Sequence, residues 1–233
     1  MKYAEFIDII SDSRLDVCRA VFVANREKIK IKKEKTILKN LEKIFDATLK
    51  IGIEKGFQAM TMRDLSSEAG LSMGALYSYF SSKEEILRAS LSEGRKIVWQ
   101  ILDEFIEREK EPITKLEIAL EVHLFLTEKM HKWFYFSYME AKNLNSEERK
   151  NAVQNELYTE KLIEGILIDG QKKGVFRETN HKLAASVIKA MLQDWYLKRG
   201  KYSRRNITVD QYAQFIIGFI HPFYLNPEGY RIK

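Results

Sequence analysis

Apolar residues recur at helical spacing along most of the chain. Tyr3–Ile10 is apolar enough to pack, and Ser11-Asp12-Ser13 interrupts it. Arg14–Ala24 then carries a stripe through Leu15, Cys18, Val21 and Phe22. Ile37–Lys55 presents Ile37, Leu41, Ile44, Phe45, Thr48 and Leu49 on one side, with Phe57 just beyond as a plug for a small core. Met62–Ala69 repeats Met62, Leu65 and Ala69, one face of a short helix. A second short helix, Met73–Phe80, places Leu76 and Phe80 on a common face. Ser82–Arg108 is one long helix with Ile86, Leu87, Leu91, Ile97, Val98, Ile101, Leu102 and Phe105 in its stripe. Pro112 opens Ile113–Met130 at a position where proline is tolerated. Trp133–Lys142 follows, and Asn145-Ser146-Glu147-Glu148 starts a helix reaching about Lys173, stopped by Gly174. Asn180 caps His181–Arg199, which Gly200 ends, and Thr208 with Gln211 forms a capping box for a last helix to Tyr224. With three prolines in the whole chain, the pattern predicts an all-α fold.

The most specific stretch is Thr61–Lys83. Thr61 is a good N-cap, with Asp64 placed to reach back to it. Gly70 sits where a helix end asks for positive φ, and Ser72 caps the next helix. Two short helices joined by a turn of about four residues that contains a glycine make a helix-turn-helix, whose second helix enters the DNA major groove. Met73, Gly74 and Ala75 are small or slender enough there to let the backbone come close to the bases, and Gly74 costs about 1 kcal/mol of helix stability relative to alanine. Ser72, Ala75, Ser78 and Tyr79 are the candidates for base-edge contact. Phe80 reads as core.

The run TMRDLSSEAGLSMGALYSYFSSKEEIL resembles the DNA-binding signature of the tetracycline-repressor family. Glu54-Lys55-Gly56-Phe57 at the end of the preceding helix fits as well, so the specific resemblance covers about Ile37–Leu91. The resemblance implies that Thr61, Arg63, Tyr77 and Lys83 hold phosphates; packing into the core is the competing role for Tyr77. It implies a three-helix DNA-binding domain over residues 35–88 and a larger helical ligand-binding and dimerisation domain over 89–233, with the boundary near Arg88 inside the long helix. It further implies a homodimer bound to double-stranded operator DNA and released by a small effector.

Residues 1–34 fit that pattern least. From Arg26 to Lys43 there are eight basic and three acidic residues, a net +5 that is most of the chain's formal +6. Lys28, Lys30, Lys32 and Lys33 form either an arm for the DNA backbone or minor groove, or a solvated helix face. The head is expected to have its own core from Ile37 onward, so that residues 1–34 are dispensable for folding.

The single cysteine, Cys18, excludes an intramolecular disulfide and suits a reducing cytoplasm. MKYAEFIDII is too polar for a signal peptide, and no apolar run approaches the roughly 18 residues of a membrane span. No nucleophile, phosphate-loop, dinucleotide or metal motif is present, and His123 and His131 lack the spacing of two ligands on one helix face. An enzyme, a metal and a cofactor are therefore not expected.

The second half offers a pocket. Trp133-Phe134-Tyr135-Phe136-Ser137-Tyr138-Met139 covers every face of a helix, more than one packing surface needs. The expected lining is Phe105, Leu124, Phe125, Trp133, Phe136, Tyr158 and Leu162, with His123 and Tyr138 as polar anchors. His123 otherwise reads as a satisfied buried histidine. Such walls suit an uncharged or anionic apolar molecule, for example an acyl compound. Asp194-Trp195-Tyr196-Leu197-Lys198-Arg199-Gly200 is locally similar to family members that sense acyl-CoA thioesters. Ile188, Met191, Leu192 and Trp195 on one helix and Phe215, Ile216, Phe219 and Phe223 on the last one are expected to pair with their symmetry mates. A helical protein-interaction scaffold, or a small-molecule-binding protein without DNA function, are the alternatives the sequence leaves.

Overall fold

The computed structural model describes residues 1–10, 13–26, 33–140 and 146–226. Of the basic run, Lys28, Lys30 and Lys32 lie outside these residues, as does Asn145. Every regular element among the described residues is a helix, apart from one isolated antiparallel bridge between Phe176 and Leu225. The helices are α1 (Tyr3–Ile9), α2 (Ser13–Ala24), α3 (Glu34–Lys55), α4 (Met62–Ala69), α5 (Met73–Tyr77) and α6 (Lys83–Glu107), followed by α7 (Pro112–Lys129), α8 (His131–Glu140), α9 (Ser146–Lys172), α10 (His181–Leu197), α11 (Arg199–Arg204) and α12 (Val209–Tyr224). Among the described residues no helix is long and apolar enough to cross a membrane.

The chain forms two compact units, Ile10–Trp99 with Tyr135–Leu144, and Met1–Ile9 with Gln100–Phe134 and Asn145–Lys233. The division inside α6 falls at Trp99, farther along than Arg88.

The first unit, the head, is built on α3. Its stripe is buried at Ile37, Leu41, Ile44, Phe45, Thr48 and Ile51, and Phe57 plugs the end at 2% exposure. α4 and α2 pack on it. Val17, Cys18 and Val21 of α2 are buried there, so the head's core begins well before Ile37. Among the described residues of 1–34, α1 and α2 are packed rather than detached: Phe6 of α1 is fully buried in the larger unit, and α2 packs on α3 in the head. The amphipathic stripes were legible, but which element would cover them was not. Phe136 also belongs to the head, lying over α3 where a Cβ at Gly52 would come within 2.3 Å of its ring.

In the larger unit α7 is buried on nearly every side, packed by α1, α9, α10 and α12. Phe6 sits between Phe105 and Phe125, with ring centroids 5.5 and 5.6 Å away, and the Tyr3 backbone N–H donates to Asp210 at 2.8 Å. The Trp-Tyr-basic stretch forms a structural hub. Trp195 is fully buried against Tyr202 and Tyr212 at 5.1 and 5.0 Å. Burial works against the charge of Asp194, but hydrogen bonds from Lys198, Lys201 and Tyr202 outweigh it and hold its carboxyl well below the usual range. Glu128 takes a two-pronged contact from Arg199, 2.8 Å on each oxygen, and a 3.1 Å bond from the Trp195 indole. These attractions turn the chain at Lys198 and start α11 at Arg199, so Gly200 lies inside a helix rather than ending one.

Candidate functional site

The reading motif is assembled by local chemistry. Thr61 Oγ1 accepts from the Asp64 N–H at 3.1 Å while Asp64 accepts from the Thr61 N–H at 2.9 Å, a closed capping box. Lys55, 2.9 Å from that carboxylate, and then the Thr61 groups lower the Asp64 pKa to about 2. With a depressed pKa, this cap contributes above the ordinary aspartate range and is lost as pH falls towards 2. Gly70 ends α4 in the left-handed region, φ 62° and ψ 38°, the Leu71 N–H returns to the Ser66 carbonyl, and Ser66 Oγ donates to the Leu71 carbonyl. Ser72 then accepts from the Ala75 N–H at 3.1 Å and starts α5.

On this frame Thr61, Arg63, Ser72, Met73, Gly74 and Tyr77 are exposed, Ala75 and Ser78 half-buried, and Leu76 and Phe80 in the core. Ser78 Oγ donates to the Ala75 carbonyl at 2.6 Å. Gly74, the second residue of α5, has open space around it among the described residues. Its φ is not positive, and a Cβ there would meet no atom within 4 Å. Gly74→Ala is expected to raise stability by about 0.5–1 kcal/mol in thermal unfolding and to weaken DNA binding.

Two candidate contacts are reassigned. Tyr79 is 2% exposed, and its hydroxyl accepts from Asn40 on α3 at 2.9 Å, so it packs the head and does not reach a base edge. Lys83 places its ammonium on the carbonyls of Phe57, Gln58 and Met60 at 3.1, 2.8 and 2.9 Å and 4.9 Å over the Phe57 ring. Three donors on three acceptors close the loop between α3 and α4 and leave none for a phosphate. Lys83→Met is therefore expected to lower the melting temperature by roughly 3–6 °C, with the salt dependence of DNA binding unchanged. A lost phosphate contact would instead reduce the log–log slope by about 0.9.

A family model described as "Bacterial regulatory proteins, tetR family" matches residues 44–90, and one described as "Tetracyclin repressor-like, C-terminal domain" matches 109–220. The chain belongs to the tetracycline-repressor family. It is 23% identical to the HTH-type transcriptional regulator HbdR of Aromatoleum sp. (strain CIB) over 81% of this chain and 82% of that protein. It is 25% identical to the fatty acid metabolism regulator protein of Bacillus subtilis (strain 168), over 68% and 84%. Its fold is that of AibR, solved in complex with isovaleryl coenzyme A and operator DNA: TM-score 0.68, 18% identity, covering 77% of this chain and 97% of that one.

The helix-turn-helix of α4 and α5 lies within the part of the chain matched by the family of DNA-binding regulators. Of the residues expected to line an effector pocket, Phe105, His123, Leu124, Phe125, Trp133, Tyr158 and Leu162 fall in the larger unit of this tetracycline-repressor family chain. Leu124 and Phe125 are buried on α7, Phe105 on α6 is closed by Phe6, and Trp133 is buried edge-on to Phe134 at 5.1 Å. Tyr158 is half-buried and donates to Asp103; burial first, then that carboxylate, pushes its pKa up. Leu162 is half-buried. Phe136 and Tyr138 are corrected: both belong to the head, Phe136 over Gly52 and Tyr138 exposed at 45%. His123 is fully buried, with Nε2 3.0 Å from Lys189 Nζ and Phe134 at 6.0 Å. Sequence reasoning missed Lys189 and Phe134, because a lone lysine in an amphipathic helix reads as solvated.

Both helices expected at a dimer interface, α10 and α12, carry exposed apolar residues, but several of the residues expected to pair with a symmetry mate are buried within the protomer. Ile188, Leu192, Trp195 and Ile216 are buried within the protomer. Met191 is half-buried. The exposed apolar residues are Leu183 and Val187 on α10 and Phe215, Phe219 and Phe223 on α12, the last three at 69, 49 and 57%. Their rings follow one another at 6.3 and 5.4 Å.

Proposed function

We propose that the protein acts in the cytoplasm as a homodimeric repressor that leaves its operator when a small apolar molecule with an acyl group binds the larger unit. The observation that carries the DNA side is the open face of Ser72, Met73, Gly74, Ala75 and Tyr77 on a frame capped at Thr61, Gly70 and Ser72. Thr61, Arg63 and Tyr77 flank that face and hold phosphates. On the effector side, the charged group buried deepest among α7 and α10 is the cation Lys189, at 7% exposure. A cationic ligand would be costly to bury beside it. The relative from Bacillus subtilis is named for fatty acid metabolism, and AibR was solved with an acyl coenzyme A, which supports the same class here.

The mechanism follows from differential affinity. Two recognition helices must reach successive major-groove faces about 34–36 Å apart. An effector that favours another spacing weakens operator binding by the ratio of its affinities for the two states. Titrating fatty acids and acyl-CoA thioesters of increasing length against a protein–operator complex tests this. Release is expected to strengthen with chain length, by up to about fourfold per methylene. Release by lipophilic cations with no effect of any acyl compound would overturn the assignment.

A further inference from the structure

His123 carries a polar atom that no other described residue uses. The imidazole is 1% exposed on α7, and its Nε2 lies 3.0 Å from the Lys189 ammonium on α10. An ammonium has donors and no acceptor, so Nε2 must accept and the ring proton of the neutral imidazole must sit on Nδ1. Burial, and then the positive charge of Lys189, hold the His123 pKa well below its ordinary value, so the ring is neutral. Nδ1 is itself buried, and no group among the described residues accepts a hydrogen bond from it. A buried donor without an acceptor is rare and unfavourable in a folded protein. Phe134, flanking the imidazole at 6.0 Å, makes the surroundings apolar.

The geometry points to the Nδ1–H of His123 as the donor that reads the acyl oxygen of the effector, with Lys189 as the positioning residue that fixes which nitrogen carries the proton. This rests on the acyl-effector reading above and adds the atom that recognises the ligand. The shared chemistry is an oxygen acceptor at the head of an apolar chain, whether the carboxylate of a free fatty acid or the carbonyl of a thioester.

The full-length protein, labelled with ¹⁵N-histidine, is titrated with decanoate and, separately, with decanoyl-CoA. The His123 resonances are assigned by their loss in His123→Asn. The free protein is expected to show the Nδ1–H tautomer at His123, and the Nδ1–H proton is expected to move to lower field with the probe that binds. His123→Gln keeps an acceptor for Lys189 and removes the donor at Nδ1. It is expected to lower affinity for that probe about tenfold to a hundredfold. His123→Asn, whose amide nitrogen overlays Nδ1, is expected to stay within a few-fold of the wild type. If a probe binds and releases DNA while the Nδ1–H signal stays in place, the inference fails and the acyl-effector reading stands. The wild-type spectrum decides this even if His123→Gln does not fold. If neither probe binds, the acyl reading itself fails and this inference with it.

Discussion

Replacing Ala75 by glutamate is expected to abolish operator binding and leave the head folded. Ala75 stands at the third position of α5, where its N–H already donates to Ser72 Oγ. A glutamate there completes a Ser-x-x-Glu capping box with Ser72, a favourable arrangement for the helix start. The substitution therefore does not break the element it alters. Its effect falls on the surface beside Gly74 and Tyr77, where a carboxylate would face phosphates and base-edge acceptors. An unpaired charge forced into such a contact costs at least about 2 kcal/mol. A dimer carries the change twice, so affinity is expected to drop roughly thousandfold. Circular dichroism and thermal unfolding should match the wild type. If Ala75→Glu binds the operator normally, α5 is not the reading helix.

Phe219→Asp is expected to split the dimer. Phe219 is the middle ring of the exposed row Phe215, Phe219 and Phe223, and it is half outside its own protomer's core. The substitution therefore leaves the monomer's packing largely intact. In an isologous interface the row meets its own copy, so the exchange removes two rings and brings two carboxylates near the twofold axis. Burial of one phenylalanine contributes about 1.5–3 kcal/mol, so losing two weakens association by two to four orders of magnitude. Sedimentation at micromolar concentration should show the variant as a monomer and the wild type as a dimer. DNA affinity should fall with it, because one head alone makes half the contacts. A variant that sediments as the wild type does would place the interface elsewhere.

What the sequence disclosed and what it hid divide along physical lines. The reading motif was legible because its determinants are local. Thr61 with Asp64, Gly70, Ser72, and Thr208 with Gln211 each act over three or four residues, and each forms the expected cap. Side-chain direction was not legible where it depends on a distant partner. Tyr79 turns to Asn40 on α3, and Lys83 turns to carbonyls more than twenty positions earlier. The aromatic block of α8 misled for a related reason. Its apolar residues cover all faces, so periodicity could not show that Phe136 packs on Gly52 in the head while Trp133 and Phe134 belong to the larger unit. α10 posed the same ambiguity, with Val187 and Ile188 adjacent and equally apolar. The fold buries Ile188 and leaves Val187 outside.

Selection of the wild-type protein against a pool of random DNA duplexes tests the central claim most directly. Paired reading heads should enrich a sequence with twofold symmetry, its half-sites centred about one helical turn apart, 10–10.5 base pairs, or a multiple of that. Ala75→Glu should enrich nothing from the same pool. A wild-type selection that yields no sequence, or an Ala75→Glu selection that yields the wild-type site, would contradict it.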